Sequence, residues 1–153
     1  MSSRREQARA NPIPTRCLDD LLGPAEGSRG SARPSRAARE ARRVPLQQLR
    51  PAQLLTLLHE GIGLAYILPF AVDAAARDPW ARVEFHPGDL LLAVLSTDPT
   101  HWRPGTRTRQ QMVLLAKSAH RKLAGMPQAN RSPATEKDLV AWLAALKLKG
   151  GER

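Results

Sequence analysis

Residues 51–78 read PAQLLTLLHEGIGLAYILPFAVDAAARD, and the reading of this stretch decides the fold. Pro51 suits the first position of a helix, where a missing N–H is no loss. Leu54, Leu55, Leu57 and Leu58 follow at helical spacing. Gly61 stands just past the end of that helix, where a left-handed backbone is easiest for glycine. Gly63 allows a second sharp bend. The next segment, LAYILPFAVDAAAR, is apolar nearly all round until Asp73, which marks a central, buried helix. Pro69 lies inside it and cannot donate to the preceding turn, so a kink or a fresh helix start is expected there. Asp78-Pro79 closes the helix, because a residue before proline avoids helical angles.

Downstream, residues 79–86 form a connection that contains Trp80 and Phe85. A helix is predicted from His86-Pro87, with Pro87 at its first position, Gly88 beside it and Asp89 in its first turn. It runs through LLLAVLS and stops near Asp98-Pro99, with Trp102 shortly after. RPGTRT is a turn. The spacing of Met112, Leu115, Ala116, Ala119 and Leu123 predicts a helix over 108–124, with Gly125 after its end. A last helix opens at Thr135, with Asp138 as the reciprocal capping acid and Leu139, Trp142, Leu143 and Leu146 facing inward.

Upstream, residues 1–14 are polar and proline-containing and read as disordered. Thr15 is placed to cap a short helix through LDDLL that Gly23-Pro24 ends. Residues 24–35 read as a linker, and 35–43 (SRAAREARR) favour helix with little apolar surface to anchor it. No stretch alternates as a strand would. The class is all-α: a small compact helical bundle with a flexible basic N-terminal lead-in. The organisation is a basic lead-in over 1–43, largely disordered with short helices, a helical core over 44–124, and a loop and C-terminal helix over 125–153.

The net charge of +10 would suit a nucleic-acid partner, but its distribution weakens that inference. Residues 1–43 balance at +5, residues 44–100 at −3 and residues 101–153 at +8. The ends are basic and the middle is acidic. One cysteine, Cys17, excludes an internal disulfide and suits a reducing compartment. The opening MSSRREQARANPIPTR carries charge and no apolar run, so no secretory signal is expected. The longest uncharged apolar stretch, Gly61 to Val72, is short of the about 20 residues that a bilayer crossing needs. The chain reads as cytoplasmic, with no membrane partner.

The residues do not compose a reaction centre. His59, His86, His101 and His120 include no pair four apart and no His-Glu-x-x-His string, so no metal site is expected. His59-Glu60 are adjacent on a helix and point about 100° apart, which keeps an acid/base pair from converging. Gly61-Ile62-Gly63 lacks the strand, third glycine and Lys-Ser/Thr of a phosphate loop. Asp89 has a structural job at a helix start. No catalytic residue and no cofactor is assigned. The basic C-terminal segment (Arg103, Arg107, Arg109, Lys117, Arg121, Lys122, Arg131) supports an alternative, a small nucleic-acid-binding or antitoxin-like regulatory protein. It lacks the aromatic residues on which single-stranded bases stack.

The segment from Val44 to Trp102 resembles the immunity proteins of bacterial contact-dependent growth inhibition (CDI) systems. The resemblance rests on an ordered set: a Leu-rich helix, Gly61 to Leu64 as a Gly-Ile-Gly-Leu bend, Pro69 in an apolar helix, Asp78-Pro79, the Pro87-Gly88-Asp89-Leu-Leu element and Trp102. LDDLLG at 18–23 is a weaker match, and the tail after Trp102 is not covered. The resemblance implies a stoichiometric inhibitor that binds the toxic C-terminal domain of a cognate effector delivered by a sibling cell. Many such toxins are basic nucleases, so an acidic inhibitor face would speed encounter and fix orientation. Glu60, Asp73, Asp78 and Glu84 are the candidate acids, and Trp80 the candidate anchor.

Overall fold

The computed structural model describes residues 15–23, 33–102 and 106–150. Those residues form seven α-helices: α1 (Leu18–Leu22), α2 (Arg36–Ala41), α3 (Pro51–Glu60), α4 (Leu64–Arg77), α5 (Asp89–Leu95), α6 (Arg107–Lys122) and α7 (Pro133–Gly150). Short 3-10 turns punctuate the connections, and an isolated antiparallel bridge between Arg82 and Pro87 is the only β pairing among the described residues. The fold is all-α, as the sequence predicts. The expectations for residues 1–14, for most of the linker and for half of the RPGTRT turn lie outside the described residues.

Helix α4 is the hub. It packs against α3, α5 and α6, and its Ile67, Leu68, Ala71, Val72 and Ala75 are buried. Leu54, Leu55 and Leu57 of α3, Leu91 and Val94 of α5, and Met112 and Leu115 of α6 complete the core around it. Helix α7 closes the far side against α5 and α6. Of its predicted inward set, Leu139 is fully buried, while Trp142 and Leu143 are half-buried against the core.

The predicted hinge residues behave as their chemistry requires. Gly61 (φ 70°) and Gly63 (φ 62°) both take the left-handed backbone that separates α3 from α4. At Gly63 space also matters: a Cβ there would stand 2.6 Å from Leu18 Cδ2. Pro69 neither ends nor restarts α4, which runs unbroken from Leu64 to Arg77. The carbonyl it cannot serve belongs to Ala65, an exposed residue, where water can take the missing donor's place.

Three sequence expectations are corrected. Helix α5 starts at Asp89, with Gly88 left-handed (φ 76°) as its cap, so Pro87 stands before the helix and not at its first position. Helix α7 starts at Pro133, earlier than Thr135. Proline is preorganised for a first turn, and the Ser132 hydroxyl accepts from Thr135 N at 3.4 Å, which makes Thr135 a buried interior residue. Helices α1 and α2 are anchored firmly. Ala38 and Ala41 are fully buried, because small side chains let α2 approach α3 closely. Leu18 of α1 is also fully buried, a burial worth about 1.5–3 kcal/mol.

Candidate functional site

The connection from Asp78 to Gly88 is an ordered loop. Ala81 N donates to Asp78 O at 3.1 Å, Gly88 N to Ala81 O at 3.2 Å, and Arg82 Nη2 to Phe85 O at 3.0 Å. Asp89 holds its crest. One carboxylate oxygen accepts from Glu84 N and Phe85 N, each at 2.8 Å; the other accepts from Val83 N at 3.0 Å and from Leu90 N at 2.8 Å. Burial pushes the Asp89 carboxyl up, but the backbone N–H groups of Phe85, Glu84, Val83 and Leu90 outweigh it, and the group titrates below the ordinary carboxylate value. Asp89 therefore organises a loop as well as starting a helix.

With the backbone of 83–85 held from within, the Phe85 side chain faces out. It is 57% exposed, and its ring lies against His59, centroids 5.8 Å apart and tilted by 33°. Beside this pair runs a cleft of about 390 Å³, with Leu58, Leu64, Leu92 and Ala93 among its walls and His59 and His86 also lining it. The same cleft is lined by Asp89, Ser96, Thr97 and Asp98, so a projecting aromatic stands next to a cleft of mixed apolar and polar lining, an arrangement suited to protein contact.

The five residues read from the sequence as a contact set do not form one surface. Glu60 and Glu84 flank the His59–Phe85 contact in sequence and so share this end of the molecule. Glu60 is also occupied: its two oxygens accept from Ser35 N at 2.8 Å and Ser35 Oγ at 2.5 Å, which ties the end of α3 to the start of α2. Asp73 lies elsewhere, on a cleft between α4 and α6, and is paired with Arg77 at 3.3 Å. Asp78 borders another cleft, with Lys122 and Met126.

Trp80 is a correction. It is 5% exposed, and its indole Nε1 donates to Ala119 O at 2.9 Å. It locks the loop onto α6 and is nearly all buried, with a small part of it lining the cleft that Asp78 borders. Sequence reasoning preferred the larger aromatic of the loop and passed over Phe85, which is the exposed one. The usable signal was Asp89, four residues after Phe85, an acid with a loop's worth of N–H groups immediately before it.

Of the remaining motif residues, Gly88 is buried under Trp80 and Thr135. Trp102, 9% exposed, donates its indole N–H to Thr97 Oγ1 at 3.1 Å and packs on Trp142 at 6.0 Å between centroids. These residues hold the frame. Among the described residues, no three His, Cys, Asp or Glu side chains gather as a metal-ligand group, and no helix is long and apolar enough to cross a membrane.

Residues 26–112 match the family described as CDI immunity proteins, which is more than half of the 153-residue chain. The chain belongs to that family. Comparison with curated proteins and with solved structures finds no match. The family segment contains α2 to α5, the whole Asp78–Gly88 loop and the start of α6. Helix α1, most of α6 and all of α7 lie outside it.

Proposed function

We propose that this CDI immunity protein binds and neutralises the toxic C-terminal domain of a cognate effector in the cytoplasm, acting through a rigid surface and without catalysis of its own. The observation that carries the reading is the coincidence of family and geometry. The family segment contains a loop whose crest is clamped by Asp89 and whose Phe85 stands clear beside a cleft of mixed apolar and polar lining. A preorganised anchor loses little conformational freedom on binding, which is what an inhibitor needs for a long-lived complex. In this reading Phe85 and His59 form the centre of the contact, with Glu60 and Glu84 at its rim. Asp73 and Asp78 are secondary contributors to encounter with a basic toxin. Trp80 keeps only its structural place.

The test is co-expression of the full chain with the C-terminal domain of its neighbouring effector. Growth rescue together with a stoichiometric complex supports the reading. A toxin that kills equally well in the presence of the folded chain removes it.

A further inference from the structure

Helices α6 and α7 leave a groove of about 560 Å³ between them, and its chemistry differs from that of the Phe85 end. Its apolar lining includes Leu114 (66% exposed), Val140 (51% exposed) and Leu143. Its polar lining is cationic: Lys117, His120 and Arg121. Leu114, Lys117 and Arg121 recur three and four residues apart along α6, so they share one helix face; Val140, Leu143 and Ala144 do the same on α7. Lys117 and Arg121 enter none of the ion pairs found among the described residues. Asp73, which borders the same α6 ridge from the α4 side, is already paired with Arg77. Two large apolar side chains left in water beside uncompensated positive charge mark a surface made for contact.

We propose that this groove docks an amphipathic helix with an acidic flank, carried by a partner protein. Apolar side chains repeating every three or four residues would lie along Leu114, Val140 and Leu143, and carboxylates beside them would meet Lys117 and Arg121. Charge complementarity selects this occupant. A second copy of the chain would bring one cationic rim against another. The chain's own residues 1–14 carry three arginines against one glutamate and have the same sign. No Phe, Tyr or Trp lines the groove as a platform for bases to stack on, which disfavours single-stranded nucleic acid. All these lining residues fall outside the family segment, and none belongs to the Phe85 end. The surface thus lies beyond the matched segment, and it stands whether or not the toxin binds at Phe85.

The probe is a fluorescein-labelled designed peptide with leucines at helical spacing and glutamates on one flank, titrated into the full-length protein. Micromolar binding is expected, weakening by about tenfold or more with Leu114→Asp and with the double change Lys117→Glu/Arg121→Glu. The same peptide with lysines in place of glutamates should bind at least about tenfold more weakly. Leu114, Lys117 and Arg121 are all exposed, so both variants keep the fold, and circular dichroism checks that they do. The proposal is overturned by any of three results: the lysine peptide binding as well as the acidic one, both variants retaining full affinity, or a single-stranded oligonucleotide binding the groove more tightly than the acidic peptide. Concentration-dependent dimerisation that Leu114→Asp abolishes would also overturn it, by giving the groove to a second copy.

Discussion

Arg42 reaches back across 23 residues of sequence to hold Asp19, Nε to Oδ1 at 2.8 Å. The arginine side chain is 4% exposed, and its Nη2 donates to Gly23 O at 3.0 Å. The backbone repeats the link, with Asp19 N donating to Arg42 O at 3.0 Å and Leu46 N to Arg16 O at 2.9 Å. Helix α1 is therefore part of the fold although it precedes the family segment. Asp19→Ala leaves the buried guanidinium with one partner fewer. Because Asp19 is itself 36% exposed, the expected loss is about 2 kcal/mol, below that of a fully buried pair. Urea unfolding measures it as a lower midpoint with an unchanged slope. Deletion of residues 1–23 is expected to cost more, since Leu18 leaves the core as well.

Asp89 predicts a pH dependence whose sign follows from its hydrogen bonds. Its folded-state pKa is depressed, so the stability it contributes is complete above the unfolded value of about 3.9 and is lost as pH falls through the folded value. Asp89→Asn is expected to destabilise the protein by about 2 kcal/mol at pH 7, since charge-assisted bonds are the stronger kind. That difference should shrink steadily below about pH 4 as the wild-type carboxyl protonates. Denaturant midpoints of both proteins from pH 7 down to pH 3 test it. A gap that stays constant with pH would show that the carboxylate charge has no part in holding the loop.

The helical core was legible in the sequence because its signals are local. The leucine stripe of α3, the two glycines after it and the apolar run of α4 each follow from spacing within a few residues, and the structure places them as read. What escaped depends on contacts distant in sequence. Helix α2 shows little apolar surface, yet Ala38 and Ala41 are fully buried, because the smallness of alanine is useful only when a neighbouring helix is present. The burial of the loop's two aromatics was hidden for the same reason. Trp80 and Phe85 sit in one loop with similar neighbours, and what separates them is Ala119, 39 residues away, which takes the indole N–H. The four acids likewise looked like one charged segment until folding sent Asp73 and Asp78 toward α6 and left Glu60 and Glu84 with Phe85.

Two glycines with the same backbone should respond differently to a methyl group. Gly61 (φ 70°) has open space where a Cβ would go. Gly61→Ala is expected to lose only the left-handed strain, about 1 kcal/mol. At Gly88 (φ 76°) a Cβ would sit 3.0 Å from Trp80 Cε3 and 3.0 Å from Thr135 Cγ2. Neither neighbour can swing aside, because Trp80 is pinned by its bond to Ala119 and Thr135 lies inside α7. Gly88→Ala is therefore expected to lose about 2–3 kcal/mol by adding overpacking to strain. Thermal unfolding of the two variants side by side gives the comparison.

The loop's two aromatics allow stability and binding to be separated. Trp80→Phe keeps most of the ring's packing and removes the N–H donated to Ala119, so it is expected to destabilise by about 1–2 kcal/mol. Toxin affinity, measured where the variant remains folded, should hold. Phe85→Ala removes a side chain that is mostly in water, so the unfolding midpoint should stay close to wild type. If Phe85 is the anchor, toxin binding falls by about 2 kcal/mol, roughly 30-fold in Kd, chiefly through faster dissociation. The acids divide in the same way. Glu84→Gln at the rim should slow association at low salt and matter less as salt rises, because screening removes long-range attraction first. Asp73→Asn, on another cleft and paired with Arg77, should slow association less than Glu84→Gln does and leave dissociation unchanged. A wild-type complex that forms normally while Phe85→Ala binds as tightly would move the contact away from this loop. It would leave the family assignment untouched, since that rests on residues 26–112 as a whole.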